Sequence, residues 1–310
     1  MKIDFKKMRY KGFNTFVNKG LEKLSIKVKE GSGYSLVKKC LLCNSSKLES
    51  YYTKFKIPIV RCTKCSLIFS KKKPNNFNDL YSGDEYLKFN LKSYQKSRTY
   101  RKNRFGKERV KILQSFKKKG KLLDVGCGNG WFLEAAKKHY NQCAGVEFSN
   151  SLRTWLEKNL KVKTYKEISD VKDNTYDIIT AFDLIEHVPD PKNFLKLMKS
   201  KLTKDGIILI YTPNVESLGF DFLKEKNNLL CPPSHLTYFS KKTFNRLSKE
   251  CGLKILYSEC RGLDVGDIYG LLNSNKKDKD TANFLEKNSV VLQDFLDKIG
   301  YSNHARYILS

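Results

Sequence analysis

Apolar positions along this chain follow two periods, and the places where they change divide it. From about residue 107, short apolar runs alternate with stretches in which apolar residues recur every three or four positions. Compact runs bounded by turn residues predict strands, and the wider spacing predicts amphipathic helices. Strands are predicted at 121–125, 144–147, 161–165, 176–182, 207–211, 254–258 and 306–309, with helices at 131–139, 152–160, 192–202 and 242–251. Strands separated by helix-sized connections pair in parallel and carry helices on both sheet faces. The pattern predicts an α/β fold with a doubly wound sheet and contains no internal repeat.

Before residue 107 the pattern loosens. Phe13, Phe16, Val17, Leu21 and Leu24 fall on one helical face, interrupted by Gly20, in a segment holding ten Lys and one Arg against three acidic residues. Residues 1–39 therefore read as a basic extension, either packed on the body of the protein or touching an anionic membrane surface. Residues 40–72 hold two cysteine pairs around a β-like stretch at 55–60. Residues 73–106 read as a helical and loop connector rich in tyrosine (Tyr81, Tyr86, Tyr94, Tyr100), and 107–310 as the main α/β domain.

Hydrophobic residues make up 40% of the chain and aromatics 12%, enough for a real core. No run approaches the roughly 18 to 20 apolar residues of a membrane span, and the first residues show no secretory pattern, so a cytoplasmic protein is expected. The 60 basic residues against 32 acidic ones give a net charge of +28, but only ten of the 60 are Arg. Lysine acts as a solvated point charge, whereas arginine serves bidentate phosphate and base recognition. The charge thus reads first as a solvated surface. An anionic partner, whether nucleic acid, a nucleotide-sugar phosphate or a membrane face, is the alternative.

Of nine cysteines, four stand in the arrangement Cys40-Leu-Leu-Cys43, 18 residues, Cys62-Thr-Lys-Cys65. Two C-x-x-C knuckles at this separation close a tetrahedral thiolate site suited to Zn²⁺, and four thiolates leave no position for water, so the site reads as structural. Cys127, Cys143, Cys231, Cys251 and Cys260 are scattered and read as small core residues.

The first predicted strand runs into Asp124-Val125-Gly126-Cys127-Gly128-Asn129-Gly130, followed at once by a helix. Glycines there let the backbone turn sharply and let a ligand approach the main chain. Glu147 ends the next strand about 20 residues later, where doubly wound folds place the carboxylate that binds ribose hydroxyls. The third glycine comes one residue too early for the dinucleotide fingerprint.

These segments resemble a family. LLDVGCGNG, GVEFS, YDIITAFDLIEHVPDP and IILIYTPN are similar to the successive motifs of class I S-adenosylmethionine (SAM) methyltransferases, and the resemblance spans roughly residues 40–310. VRCTKCSLIF, LYSGDEYL and PPSHLTYFSKKTF are similar to a subgroup with an N-terminal zinc-ribbon module, often associated with sugars, surface polysaccharides or other small metabolites. Ser66 departs from the glycine usual in that subgroup after the fourth cysteine. The resemblance implies a Rossmann-like, seven-stranded, mostly parallel sheet with SAM as cofactor. Asp124, Gly126, Cys127, Gly128 and Gly130 would hold its methionine end, Glu147 its ribose diol and Phe148 its adenine. Asp183 would face the amino-acid part or the substrate.

Methyl transfer to a hydroxyl needs a base beside the acceptor. His187, in the loop after the 176–182 strand, is the first candidate, and His235, in Pro232-Pro233-Ser234-His235, the second; His139 and His304 read as surface or packing residues. Asp183, Glu186 and His187 also compare with an acidic-histidine cluster that can bind a divalent cation in ubiquinone-type O-methyltransferases. The leading expectation is methylation of a small metabolite, most plausibly a hydroxyl of a sugar or glycan precursor. The alternatives are an RNA methyltransferase using the zinc module and basic surface, and an inactive SAM-fold scaffold. Against RNA stand the Asp183-Leu-Ile-Glu186-His187 loop, which lacks an Asn-Pro-Pro-aromatic element, and the low arginine share. The acceptor atom, oxygen or carbon, and the oligomeric state stay open.

Overall fold

The computed structural model describes residues 33–75, 97–275 and 278–310. The amphipathic pattern at residues 13–24 and Tyr81, Tyr86 and Tyr94 lie outside them. Thirteen strands and eight α-helices run in chain order among the described residues. Five strands come first: β1 (Tyr34–Leu36), β2 (Leu48–Lys54), β3 (Ile57–Cys62), β4 (Ile68–Ser70) and β5 (Lys72–Pro74). A π-helical turn, Lys102–Gly106, runs directly into α1 (Lys107–Phe116). Then follow β6 (Lys121–Val125), α2 (Trp131–Ala136), β7 (Gln142–Val146), α3 (Asn150–Leu160), β8 (Lys163–Tyr165), β9 (Tyr176–Phe182) and α4 (Pro191–Lys201). The chain continues through β10 (Leu202–Pro213), α5 (Leu218–Leu223), β11 (Thr237–Tyr238), α6 (Lys241–Glu250) and β12 (Ile255–Cys260). It closes with α7 (Asp264–Asn275), α8 (Lys279–Ile299) and β13 (His304–Leu309).

Seven strands form one sheet in the order β12-β13-β10-β9-β6-β7-β8. β8, β7, β6, β9 and β10 are parallel, and β13 runs antiparallel between β10 and β12. The class I architecture implied by the motifs is therefore present. Its center is mainly apolar, with Leu122, Leu123, Ile178, Ile179, Ile208 and Leu209 fully buried. Local chemistry sets the helix starts. Ser149 caps α3 by accepting from the Leu152 amide, Asp190 caps α4 with Pro191 at the first helical position, and Ser240 and Thr243 form a reciprocal box on α6.

Chain order reverses between β6 and β9: β6 leads outward to β7 and β8 on one side, β9 to β10 on the other. Doubly wound sheets open a crevice at such a point, beyond the carboxyl ends of the strands. The loop after β6 and the loop after β9 face each other there.

A second sheet, in the order β11-β4-β3-β2, carries the cysteine hairpins. Its fourth strand comes from far along the chain, with Thr237 opposite Phe69 and Tyr238 opposite Ile68. The main deviations from the hydrophobic pattern have physical causes. Strand β2 loses its alternation at an irregularity between Ser50 and Tyr52. Helix α8 turns Phe284, Val291 and Phe295 outward, which blurs its two-sided pattern.

Candidate functional site

The turn after β6 is built by three left-handed glycines, Gly126, Gly128 and Gly130, with φ of 73°, 52° and 70°. Two have no room for a side chain. A β-carbon on Gly130 would lie 2.3 Å from Leu156, and one on Gly126 2.9 Å from Leu184. At Gly128 a β-carbon would meet nothing within 4 Å, so here the bare backbone faces open space in which a ligand fits. Cys127 donates its amide to the Val146 carbonyl, and its thiol packs at the Gly145 backbone, inside the core.

Glu147 is buried at the end of β7, and its two oxygens accept the Gly128 and Ser149 amides, each at 2.9 Å. Two of the roughly four acceptor positions of its carboxylate are therefore used, and two are left for a diol. Burial raises its pKa against the pull of those amides. Asp124, 2% exposed, accepts the Thr180 hydroxyl at 2.6 Å, and burial pushes its carboxyl up to about 7. Phe148 is half-buried, with the Lys166 ammonium 5.4 Å from its ring center.

Arg109, which sequence reasoning passed over, and Asn129 of the glycine turn complete this side. Arg109 of α1 is buried among the rings of Phe182, Trp131 and Tyr211, at 3.9, 4.7 and 4.7 Å, yet its Nε and Nη1 donate to nothing among the described residues. Among the described residues its ionic partner is Asp183, at 3.8 Å. Asn129, inside the glycine turn, likewise has both side-chain polar atoms buried and unpaired among the described residues. A buried guanidinium with idle donors is costly unless an anion joins it. The signal lay in residue choice: where lysine outnumbers arginine five to one, an arginine ahead of the glycine turn marks a site needing a planar fork.

Across the crevice, Asp183 follows β9 in the left-handed region, with φ of 52°. Its carboxylate stands between Arg109 and His304, whose Nε2 is 3.5 Å away, so His304 lines the crevice wall. Further along the same loop, Glu186 is 1% exposed; Oε2 accepts the Thr212 hydroxyl at 3.0 Å and Oε1 has no partner among the described residues. Burial raises its pKa well above the ordinary carboxyl value.

The two candidate histidines meet. The rings of His187 and His235 pack edge to face with centers 4.5 Å apart. A ring nitrogen of each and a Glu186 oxygen lie within 4.8 Å of one another, a set of three donors able to hold a cation. His187 Nδ1 faces the Ser234 carbonyl at 2.8 Å, and His235 Nδ1 faces that of Leu229 at 2.8 Å. A carbonyl only accepts, so each Nδ1 carries the hydrogen and each neutral ring has its lone pair on Nε2. Burial lowers both histidine pKa values, His235 the more strongly. The Tyr238 ring lies 6.2 Å from that of His235, and Thr237, whose amide donates to the Glu186 carbonyl, has a buried Oγ1 with no partner among the described residues.

Cys40, Cys43, Cys62 and Cys65 also come together. Sγ of Cys40 and Cys65 are 3.4 Å apart, and those of Cys43 and Cys62 3.5 Å apart. These separations far exceed the roughly 2.0 Å of a disulfide and approach the edge of a zinc tetrathiolate, about 3.8 Å for 2.3 Å bonds. The donor set fits zinc. Asn44 and Ser66, each following a knuckle, adopt φ of 58° and 67°, the region for which glycine is the unstrained choice.

A carboxylate and an open glycine turn, set where the order of a mostly parallel seven-stranded sheet reverses, define the class I methyltransferase architecture. Comparison with known families agrees: a model described as a methyltransferase domain matches residues 97–258, just over half of the chain. The chain belongs to this family. It is 36% identical over 112 residues to the ubiquinone biosynthesis O-methyltransferase of Coxiella burnetii (strain Dugway 5J108-111), covering 33% of this chain and 48% of that one. The protein of the same name from Idiomarina loihiensis is 29% identical over 103 residues, 30% of this chain and 42% of the relative. The chain thus spans about half the length of the curated relatives it matches. A SAM-dependent methyltransferase of known structure from Archaeoglobus fulgidus aligns at a TM-score of 0.47 with 21% identity, over 73% of this chain and 99% of that one. No described helix is long and apolar enough to cross a membrane.

Proposed function

We propose that this protein transfers a methyl group from SAM to a small polar acceptor, a hydroxyl of a sugar or glycan precursor fitting best. The observation that carries this reading is the His187–His235 pair, with Nδ1 of both rings engaged and the lone pairs on Nε2, beside a buried Glu186 carboxylate whose Oε1 has no partner among the described residues. Glu186 and Thr237 supply an acceptor and a hydroxyl suited to a hydroxyl-bearing molecule and costly to leave idle. The relatives named as O-methyltransferases favor an oxygen acceptor.

Bound SAM supplies an electrophilic methyl on its sulfonium. In this reading the Gly126–Gly130 turn and Asp124 shape the methionine end of the cofactor site. Glu147 accepts the ribose hydroxyls, Phe148 covers the adenine, and Arg109 with Asn129 takes the carboxylate. Asp183 stands beside the amino-acid part. Nε2 of His235 or His187 would receive the proton that the acceptor hydroxyl loses as its oxygen takes the methyl carbon, the S–CH3 bond breaking with its electron pair left on the sulfur of S-adenosylhomocysteine. Cys40, Cys43, Cys62 and Cys65 hold one structural Zn²⁺.

Label transfer from methyl-labelled SAM to nucleotide sugars, simple phenols and total RNA tests the reading. Label on a sugar carries it; label on RNA alone overturns it. The role of Arg109 is separable. Arg109→Met should weaken S-adenosylhomocysteine binding about tenfold or more, the value of a charge-assisted pair. It should leave 5′-methylthioadenosine, which lacks the amino-acid part, within about twofold by calorimetry. Equal losses for both ligands would remove Arg109 from the carboxylate site.

A further inference from the structure

We propose that Lys54, carried by the cysteine-bearing sheet, is a positioning residue that sets the tautomer and orientation of His235. The proposal rests on the reading of His235 as a base candidate.

Lys54 ends β2, and its Nζ donates to the Asn227 carbonyl at 2.7 Å, 173 residues along the chain. That carbonyl also accepts the Leu230 amide at 3.1 Å, and the Asn227 side chain accepts the Leu229 amide at 2.8 Å. Lys54 therefore adds a charged donor to the one oxygen on which this turn closes. The carbonyl the turn presents next, that of Leu229, is the partner of His235 Nδ1. A shift of the turn by half an ångström would loosen that hydrogen bond and let the proton move to Nε2, where it would block base action.

The other side of His235 is tied to the same sheet. Leu236 and Thr237 donate their amides to the Glu186 carbonyl, Ser70 donates to the Leu236 carbonyl at 2.9 Å, and β11 pairs with β4. His235 thus sits between two attachments to the hairpins that carry the four cysteines. Burial pushes Lys54 down to about 8, a cost that a purely solvated lysine would not meet. The groups facing His235 are His187, Tyr238, Glu186, Cys231, His304 and Lys54, and the nearby Lys54 charge disfavors its protonated form.

The chain contains four histidines, so nitrogen-15 labelling of histidine gives a tractable spectrum. In the parent, His235 should show a protonated Nδ1 and a bare Nε2. Lys54→Met should mix the tautomers and move the His235 titration upward by about half a pH unit or more, since a neighboring cation is lost. Zinc content and S-adenosylhomocysteine affinity should stay at parent values, and Lys54→Arg should restore the parent spectrum. An unchanged His235 signal in Lys54→Met overturns the proposal, and so does joint loss of zinc or cofactor binding, which would mean general unfolding. If the His235 ring responds but methyl transfer to the acceptor found above does not fall, Lys54 still positions the ring and the base reading of His235 fails.

Discussion

His235→Gln should slow methyl transfer by about 10²–10⁴-fold, the range for removing a positioned base, while S-adenosylhomocysteine binds within about twofold of the parent. Glutamine keeps a donor for the Leu229 carbonyl, so the loop stays in place and the loss reads the ring itself. His187→Gln is the paired test, and the variant with the larger drop in kcat at unchanged cofactor affinity identifies the base. The pH profile supplies a second check. Burial lowers the pKa of both rings, so they hold their lone pairs to below the ordinary histidine value of 6.5. The acidic limb of kcat/KM belongs below pH 6.5; a limb centered at pH 7 or above would assign proton removal to another group.

Cys62→Ser should release the metal. Structural zinc contributes roughly 10–16 kcal/mol in isolated finger peptides, and loss of one thiolate should remove about 3 kcal/mol or more of it. Zinc per chain, measured after dialysis, should fall well below one. Because β11 pairs with β4 and Ser70 binds the Leu236 carbonyl, the disturbance should reach the His235 loop. Methyl transfer should then drop steeply while cofactor binding, assigned in the proposed function to Gly126–Gly130 and Glu147, persists. Full zinc content in this variant would show that the ligand set is wrong, and joint loss of cofactor binding would show that the two sites are not separable.

Much of the architecture was legible because its signals are local. Strands 121–125 and 176–182 are read to the residue, since each is a continuous apolar run closed by a turn. The glycine turn, Glu147 and the cysteine pairs were legible through spacing, because the backbone geometry of a tight turn or metal knuckle demands it. What stayed hidden depends on distant contacts. Arg109 precedes the glycine turn without any motif, and its meaning comes from three rings contributed by Trp131, Phe182 and Tyr211. His304 reads as a packing residue until β13 slots beside β10 and brings it to Asp183. Likewise, nothing local in Leu48–Lys54 announces that its last lysine holds a carbonyl 173 residues away.

The placement of β13 bears on how the protein is made. Strand β12 touches the rest of the large sheet only through β13, which is synthesized about forty residues later. Until Ala305–Leu309 leaves the ribosome, the nascent polypeptide carries an uncovered edge at Ile208–Pro213 and a stray strand at Ile255–Cys260. Such edges invite pairing between neighboring chains. A premature stop after residue 303 should therefore send the product into aggregates during translation, even though it would retain the entire stretch matched by the family.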